Sequence, residues 1–429
     1  MPVVVLFIIF VVLLVIAVPV SITLGITSVL PSVFDPSFTV GAKYLIRAMF
    51  GGLDSFPLLA VPMFVLSGII MAKGGISKKL FDVFAYFLGK FTAGMPCAVI
   101  VTCLFYGAIS GSAPATVAAV GSMTIPILSN LGYDLTFSTA IVAVAGGLGV
   151  IIPPSIPFIM YGMASGASVS DLFLAGIIPG LMIGALLMLY AIYHCKRYGE
   201  DKEKIHAEVQ MLHDKGLLKV LKESFFALLS PVIILGCIYT GVASPTEAAV
   251  ISVFYALIIS LFVYKSIKLR DIWPILVEAI RTFTPILFIL AASTAFSRVL
   301  TLMQVPQTVS EFILNNFHSP VAILLIINLF LLIVGMVMDT TPAILILTPI
   351  LLPIVTAVGM NPIHFGIMMV VNLAIGFVTP PIGVNLFVAS SLTDIPIMRI
   401  SKHAMPMIGY FLVALLLITF IPAISLALI

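Results

Sequence analysis

The chain has 429 residues, of which 62% are hydrophobic and only 9% charged, with a formal net charge of +3 and a mean hydropathy of +1.28. This composition excludes a soluble globular protein, and because the basic residues sit in loops the small positive charge gives no reason to expect a nucleic-acid partner. It describes a polytopic membrane protein, since stretches such as residues 3–30, 231–263 and 405–429 are long enough to cross a bilayer core, which takes ~20 helical residues.

The first apolar stretch, 3–30, has no basic start and no small-residue cleavage site, so it reads as a retained anchor. Pro19 leaves open whether it crosses once or twice. Residues 34–50 read as an interfacial arm helix. The following loop, 73–90, carries Lys73, Lys78, Lys79 and Lys90, which places it on the cytoplasmic side. From 94 to 131 the chain is apolar with both ends cytoplasmic, and it is broken in the middle by Ser110, Gly111, Ser112, Ala113 and Pro114. That pattern predicts a re-entrant hairpin, whose non-helical tip survives at depth only where protein or a wet cavity satisfies it. Residues 149–155 then place Pro153-Pro154 inside a helix. Proline removes a donor and frees the carbonyls before it, and the half-helix after the break aims its amide end at the same space.

A polar stretch from 196 to 223 holds seven Lys or Arg and reads as a cytoplasmic linker. Ser244, Pro245, Thr246 and Glu247 match a capping box at an outer turn, which explains Glu247 without a functional role. The cluster Lys265, Lys268, Arg270 and Arg281 marks a second arm helix, over 265–281, at the cytoplasmic face. A second hairpin over 320–358 breaks at Met338, Asp339, Thr340, Thr341 and Pro342, and a second broken helix follows at 376–385 around Pro380-Pro381.

These parts repeat at one shift of 227. Pro126, Gly132, Gly149, Pro153, Pro154 and Pro179 coincide with Pro353, Gly359, Gly376, Pro380, Pro381 and Pro406, where about half a pair is expected by chance. The copies face opposite ways, because the basic loop 73–90 has a counterpart, 301–317, with no Lys or Arg, while Arg399 and Lys402 lie by a turn whose first-copy equivalent at Ser170 and Asp171 has none. The expected fold is therefore all-α, an inverted-topology repeat with two re-entrant helical hairpins and two broken transmembrane helices, as in secondary transporters that bind solute near the midplane. Its expected parts are 1–93 and 225–319 as scaffold with arm helices, 94–195 and 320–429 as the two transport halves, and 196–224 as linker.

Freed carbonyls suit a hard cation. Two sodium sites are expected, one from Ser110, Gly149, Ile152 and Pro154, the other from Thr340, Gly376, Thr379 and Pro381. No protein cofactor is expected beyond sodium as the coupling ion, since Asp339 is the one acidic residue expected deep in the membrane and the six His lie mostly in loops or near ends, too few for a proton relay. Solute contacts are expected from Ser110, Ser112, Ser155, Asp339, Thr340, Thr341 and Asn385. Cys97, Cys103, Cys195 and Cys237 show no metal or disulfide spacing, and no HExxH or GxSxG motif suggests an enzyme.

Taken together, the Ser110–Ser112 tip, Pro153-Pro154-Ser155, Ser244 to Ala249, the Met338 to Pro342 tip and Thr379 to Gly383 resemble the large membrane subunit of tripartite ATP-independent periplasmic (TRAP) transporters over essentially the whole chain. The resemblance implies a sodium-driven elevator importer in a bacterial inner membrane, a small four-helix membrane partner, and a periplasmic binding protein that delivers an organic acid. Pro114-Ala115-Thr116 after the first tip looks more like the sialic acid type than the C4-dicarboxylate type. The rival reading is a self-sufficient sodium-coupled anion symporter or an ion antiporter of similar build.

Overall fold

The computed structural model describes residues 3–34, 38 and 41–429, and these residues form helices and turns without a strand. Eight helices among them are long and apolar enough to cross a membrane. The chain opens with two short helices, α1 (Val3–Val15) and α2 (Val20–Phe34), which meet at Pro19 and pack on each other. Of the expected first arm, residues 35–37, 39 and 40 lie outside the described residues, Phe34 ends α2, and residues from Ala42 on form the amphipathic α3 (Ala42–Leu53). A 3₁₀ turn at Phe56–Leu59 leads into α4 (Ala60–Lys73), and the basic loop beyond it is the helix α5 (Ile76–Leu88).

The first hairpin is α6 (Gly94–Ser110) and α7 (Ala113–Asn130), within one residue of its expected bounds. Gly111 ends α6 in the left-handed region, at φ 61°, and Pro114 begins α7 where a missing N–H costs nothing. The first broken helix is α8 (Leu135–Ala145), a 3₁₀ turn at Gly146–Val150, a cis Pro153-Pro154 bond, and α9 (Ile156–Ser165). Asp134 starts α8 by accepting the Phe137 N–H at 2.8 Å. A long α10 (Val169–Tyr198) follows.

The polar linker is not a loop. Asp201 caps α11 (Lys202–Asp214) by accepting the Lys204 N–H, and α10 and α12 (Leu217–Tyr239) take up the linker's two ends. Just before α11, the Glu200 carboxylate accepts the Ala93 N–H with both oxygens, at 3.1 and 3.0 Å, and also the Tyr133 hydroxyl. Burial and this carboxylate push the Tyr133 hydroxyl pKa up, which keeps it a donor. One side chain thus holds both feet of the first hairpin. Glu200→Ala is expected to cost about 2 kcal/mol, the scale of lost charge-assisted hydrogen bonds, seen as a lower melting temperature of the purified protein; unchanged melting would show that the feet are held elsewhere.

Ser244 and Glu247 form the capping box that their spacing predicts, and it starts α13 (Pro245–Ile258). The second arm is not a separate helix. After a short 3₁₀ turn at Leu269–Asp271 it runs unbroken into α14 (Ile272–Leu302), which carries Pro285 inside it, whereas the first copy leaves the helix after Leu53. Then come α15 (Val305–Asn316), the second hairpin α16 (Pro320–Val337) and α17 (Thr340–Ala357), the second broken helix α18 (Pro362–Gly376) and α19 (Val384–Thr393) with a cis Pro380-Pro381 bond, and finally α20 (Ile397–Phe420) and α21 (Ala423–Leu426).

Packing sorts these helices into two groups. α13 lies on α4, and α14 lies on α2, α3 and α4, with Leu45 and Ala48 of α3 buried against Ala295 and Val299. The hairpins and broken helices form the other group, with α8 against α20 and α10 against α6, α18 and α20. Within it the copies exchange partners: α7 packs on α19, and α17 packs on α9. The second arm of each hairpin therefore rests on the half-helix of the other copy. The groups meet chiefly where α17 lies on α14 and α15 and where α5 and α4 reach α6.

Candidate functional site at the two tips and breaks

Each hairpin tip nests, backbone to backbone, in the break of its own copy. In the first, the Ile156 N–H donates to Gly111 O at 3.3 Å, and a Cβ built on Gly107 would stand 2.7 Å from Gly149 Cα. A Cβ on Gly149 would stand 2.4 Å from Thr116 Oγ1. In the second, the Ile382 N–H donates to Met336 O at 3.3 Å, and Gly335 lies against Gly376. The pair Gly107 and Gly335 escapes a search at a shift of 227 because the first hairpin arms are related by 228.

The first tip is a closed hydroxyl network. Ser110 Oγ lies 2.9 Å from Thr116 Oγ1, which donates to Ser112 O at 2.8 Å. At the second tip Asp339 caps α17, accepting the Thr340 N–H at 2.7 Å and the Thr340 hydroxyl at 3.3 Å. Asp339 is exposed, whereas Thr340 and Thr341 are buried. Among the backbone oxygens expected for sodium, those of Ile152, Pro154, Thr379 and Pro381 accept no backbone hydrogen bond from the described residues, while Gly376 O accepts the Thr379 N–H at 3.1 Å. Proline and the irregular turns around it leave these acceptors bare.

Two of the expected solute contacts also hold the fold together. Ser155 is fully buried, donates to Val150 O and accepts the Phe158 N–H, so it caps α9. Asn385 is also fully buried, with Nδ2 donating to Ala143 O of the first copy at 3.0 Å. It ties the second break to the helix before the first.

Two cavities flank the site. One, of about 720 Å³, is lined by Ser110, Ser112 and Tyr106 at its inner wall and by Lys73, Lys78 and Glu278 at its mouth, where Lys73 and Glu278 form an ion pair. The other, of about 610 Å³, lies between α9, α14, α17, the 3₁₀ turn before α4 and the turn before α13. Arg298 of α14 is the one charged residue in its lining. Asp339, Thr340, Thr341 and Asn385 line neither. Arg298 was missed because it sits in an apolar run, although a basic residue near the end of a spanning helix is itself a signal.

Residues 7–424 match the family described as tripartite ATP-independent periplasmic transporter, DctM component. The chain belongs to that family. It is thus a TRAP large membrane subunit, a multi-pass protein of the bacterial inner membrane and one of a family of transporter permeases. Among its relatives, the C4-dicarboxylate TRAP transporter large permease protein DctM of Pseudomonas aeruginosa is 40% identical, with 89% of this chain and 88% of that protein aligned. The isethionate TRAP transporter permease protein DctMQ of Oleidesulfovibrio alaskensis is 44% identical over 99% of this chain, which spans only 66% of that longer protein. The sialic acid TRAP transporter large permease protein SiaM of Vibrio cholerae is 34% identical, with 91% and 90% aligned. The DctM fold also resembles the YdaH transporter of Alcanivorax borkumensis, at a TM-score of 0.62 and 14% identity over 96% of this chain and 97% of that one.

Proposed function

We propose that this permease imports an organic acid by sodium symport, in an elevator motion, from a periplasmic binding protein and together with a small four-helix membrane subunit. The observation that carries this reading is the pair of tips seated on proline breaks, each offering bare carbonyls to a hard cation and amide ends to an anion. The hairpin group, 94–195 with 320–429, is the moving part. The group built on α4, α13 and α14 is the scaffold, and the hairpins are re-entrant. The cavity that reaches Ser110 and Ser112 past Lys73 and Lys78 is the cytoplasmic exit.

The solute is a small organic anion. The named relatives transport acids of quite different size, and the charge is what isethionate, C4-dicarboxylates and sialic acid share. The Pro114-Ala115-Thr116 continuation favours sialic acid, whereas the 44% identity to the isethionate permease favours a two-carbon sulfonate.

The test is uptake in proteoliposomes holding the reconstituted membrane complex, with a panel of binding proteins and radiolabelled acids. Uptake is expected only with an inward sodium gradient, and replacing sodium by choline should reduce it at least tenfold. Uptake driven by a proton gradient alone would overturn sodium coupling, and uptake without any binding protein would favour a self-sufficient symporter.

A further inference from the structure

We infer that the cavity around Arg298 is an anion subsite, which takes the carboxylate or sulfonate of the solute on the outer side of the membrane before it reaches the tips. The inference rests on the import reading above. Its geometric basis is α14, which passes both cavities. Glu278 and Thr282 line the exit cavity, while Leu290, Thr294, Ser297 and Arg298 line the other. Glu278 and Arg298 are 20 residues apart on one continuous helix, which is about 30 Å at 1.5 Å per residue and matches the thickness of a bilayer core. The two cavities therefore open toward opposite faces, and the basic start of α14 assigns the Arg298 end to the outside.

The chemistry of the wall points to an anion. The guanidinium of Arg298 makes no ion pair with any carboxylate among the described residues, and it is exposed to the cavity side of α14. Ser55, Ser170 and Ser297 bring hydroxyls from three separate elements, and no backbone or side-chain partner occupies them among the described residues. The other hydroxyls are spoken for: Thr246 donates to Phe56 O at 3.2 Å, Thr294 to Leu290 O at 2.9 Å, and Ser244 is held by Glu247. One planar fork of donors ringed by free hydroxyls, with no acidic residue in the wall, fits a carboxylate or sulfonate on a small polar body. The volume, about 610 Å³, admits such an acid with its first water shell. The wall is also shared by both packing groups, with Ile159, Met163 and Leu345 from one and α14 from the other, so sliding of one past the other reshapes the cavity.

A plain interfacial anchor is the competing role for an arginine near the end of a spanning helix, and a lysine serves that role equally well. The experiment separates the two. In the reconstituted complex, Arg298→Gln is expected to lower uptake at subsaturating solute at least tenfold, and Arg298→Lys should recover only part of it, because an ammonium cannot make the bidentate contact. A readout independent of transport uses Ser297→Cys and two thiol reagents of similar size, 2-sulfonatoethyl and 2-trimethylammonioethyl methanethiosulfonate. With Arg298 present the anionic reagent should react at least tenfold faster relative to its rate with a free thiol, and Arg298→Gln should abolish that preference. Full uptake in Arg298→Lys with no charge preference in labelling would overturn the subsite in favour of an anchor. A defect that disappears at high binding-protein concentration, with labelling unchanged, would assign Arg298 to protein docking and also overturn it. If the unmodified complex takes up nothing with any binding protein, the import reading fails, while the labelling ratio still decides the subsite.

Discussion

Gly376→Ala is expected to lower the melting temperature of the purified protein more than alanine at any other glycine of the tips and breaks. A Cβ there would stand 2.2 Å from the carbonyl carbon and 2.3 Å from the oxygen of Gly335, which are backbone atoms with no rotamer to escape into. One helix must move off the other, and overpacking of this kind costs about 1–3 kcal/mol. Against that stands the gain from replacing glycine in a helix, at most ~1 kcal/mol. Repulsion wins at Gly376. At Gly107 the contact would be 2.7 Å to Gly149 Cα, so the loss should be smaller, and at Gly335, with nothing nearer than 3.2 Å, smaller still. Gly409 in α20 supplies the opposite sign, since a Cβ there meets nothing within 4 Å and Gly409→Ala should stabilise by roughly 0.5–1 kcal/mol. Thermal unfolding in one detergent, for all four variants, checks the order. Gly376→Ala melting at or above the parent would mean that the tip and break are not in close contact.

Asp339→Asn should separate two roles that alanine confounds. Asparagine keeps the side-chain oxygen that accepts from the Thr340 N–H, so α17 retains its cap and the protein should melt within a degree or two of the parent. It removes the charge. If the carboxylate serves the ion or the solute, uptake should fall at least tenfold in Asp339→Asn and be abolished in Asp339→Ala, with both proteins still inserted in the membrane. Normal uptake by the asparagine variant would reduce Asp339 to a helix cap.

Much of the architecture was legible because helix breakers are local. Gly94, Gly111, Pro114, Pro320 and the two proline pairs mark starts, stops and breaks by their own backbone chemistry, and the hairpin bounds follow to within a residue. What was not legible is where a polar side chain points. Ser155 reads equally well as a solute contact and as a cap. Only the packed structure shows the cap, with Oγ turned to Val150 O and the Phe158 N–H. The partner of Asn385 Nδ2, Ala143 O, was hidden for the same reason, since it lies 242 residues away. The second arm failed differently: a basic cluster suggested a boundary, yet the helix runs on from Arg281 to Leu302 through Pro285. Gly107 and Gly335 were hidden by a one-residue slip in register between the copies, and Arg298 by the apolar run around it.

The glycine seams constrain how a permease of this build can gate. Lifting either tip away from its break would strip the Ile156 or Ile382 amide of its acceptor and expose a strip of backbone that has no side chains to shield it. A hairpin fastened in this way makes a poor flap. Each hairpin and the broken helix beneath it should behave as one keyed piece, so that under the elevator reading proposed above solute access would change at the joint between α17 and α14, and molecules wedged into that joint should arrest transport without competing for the ion.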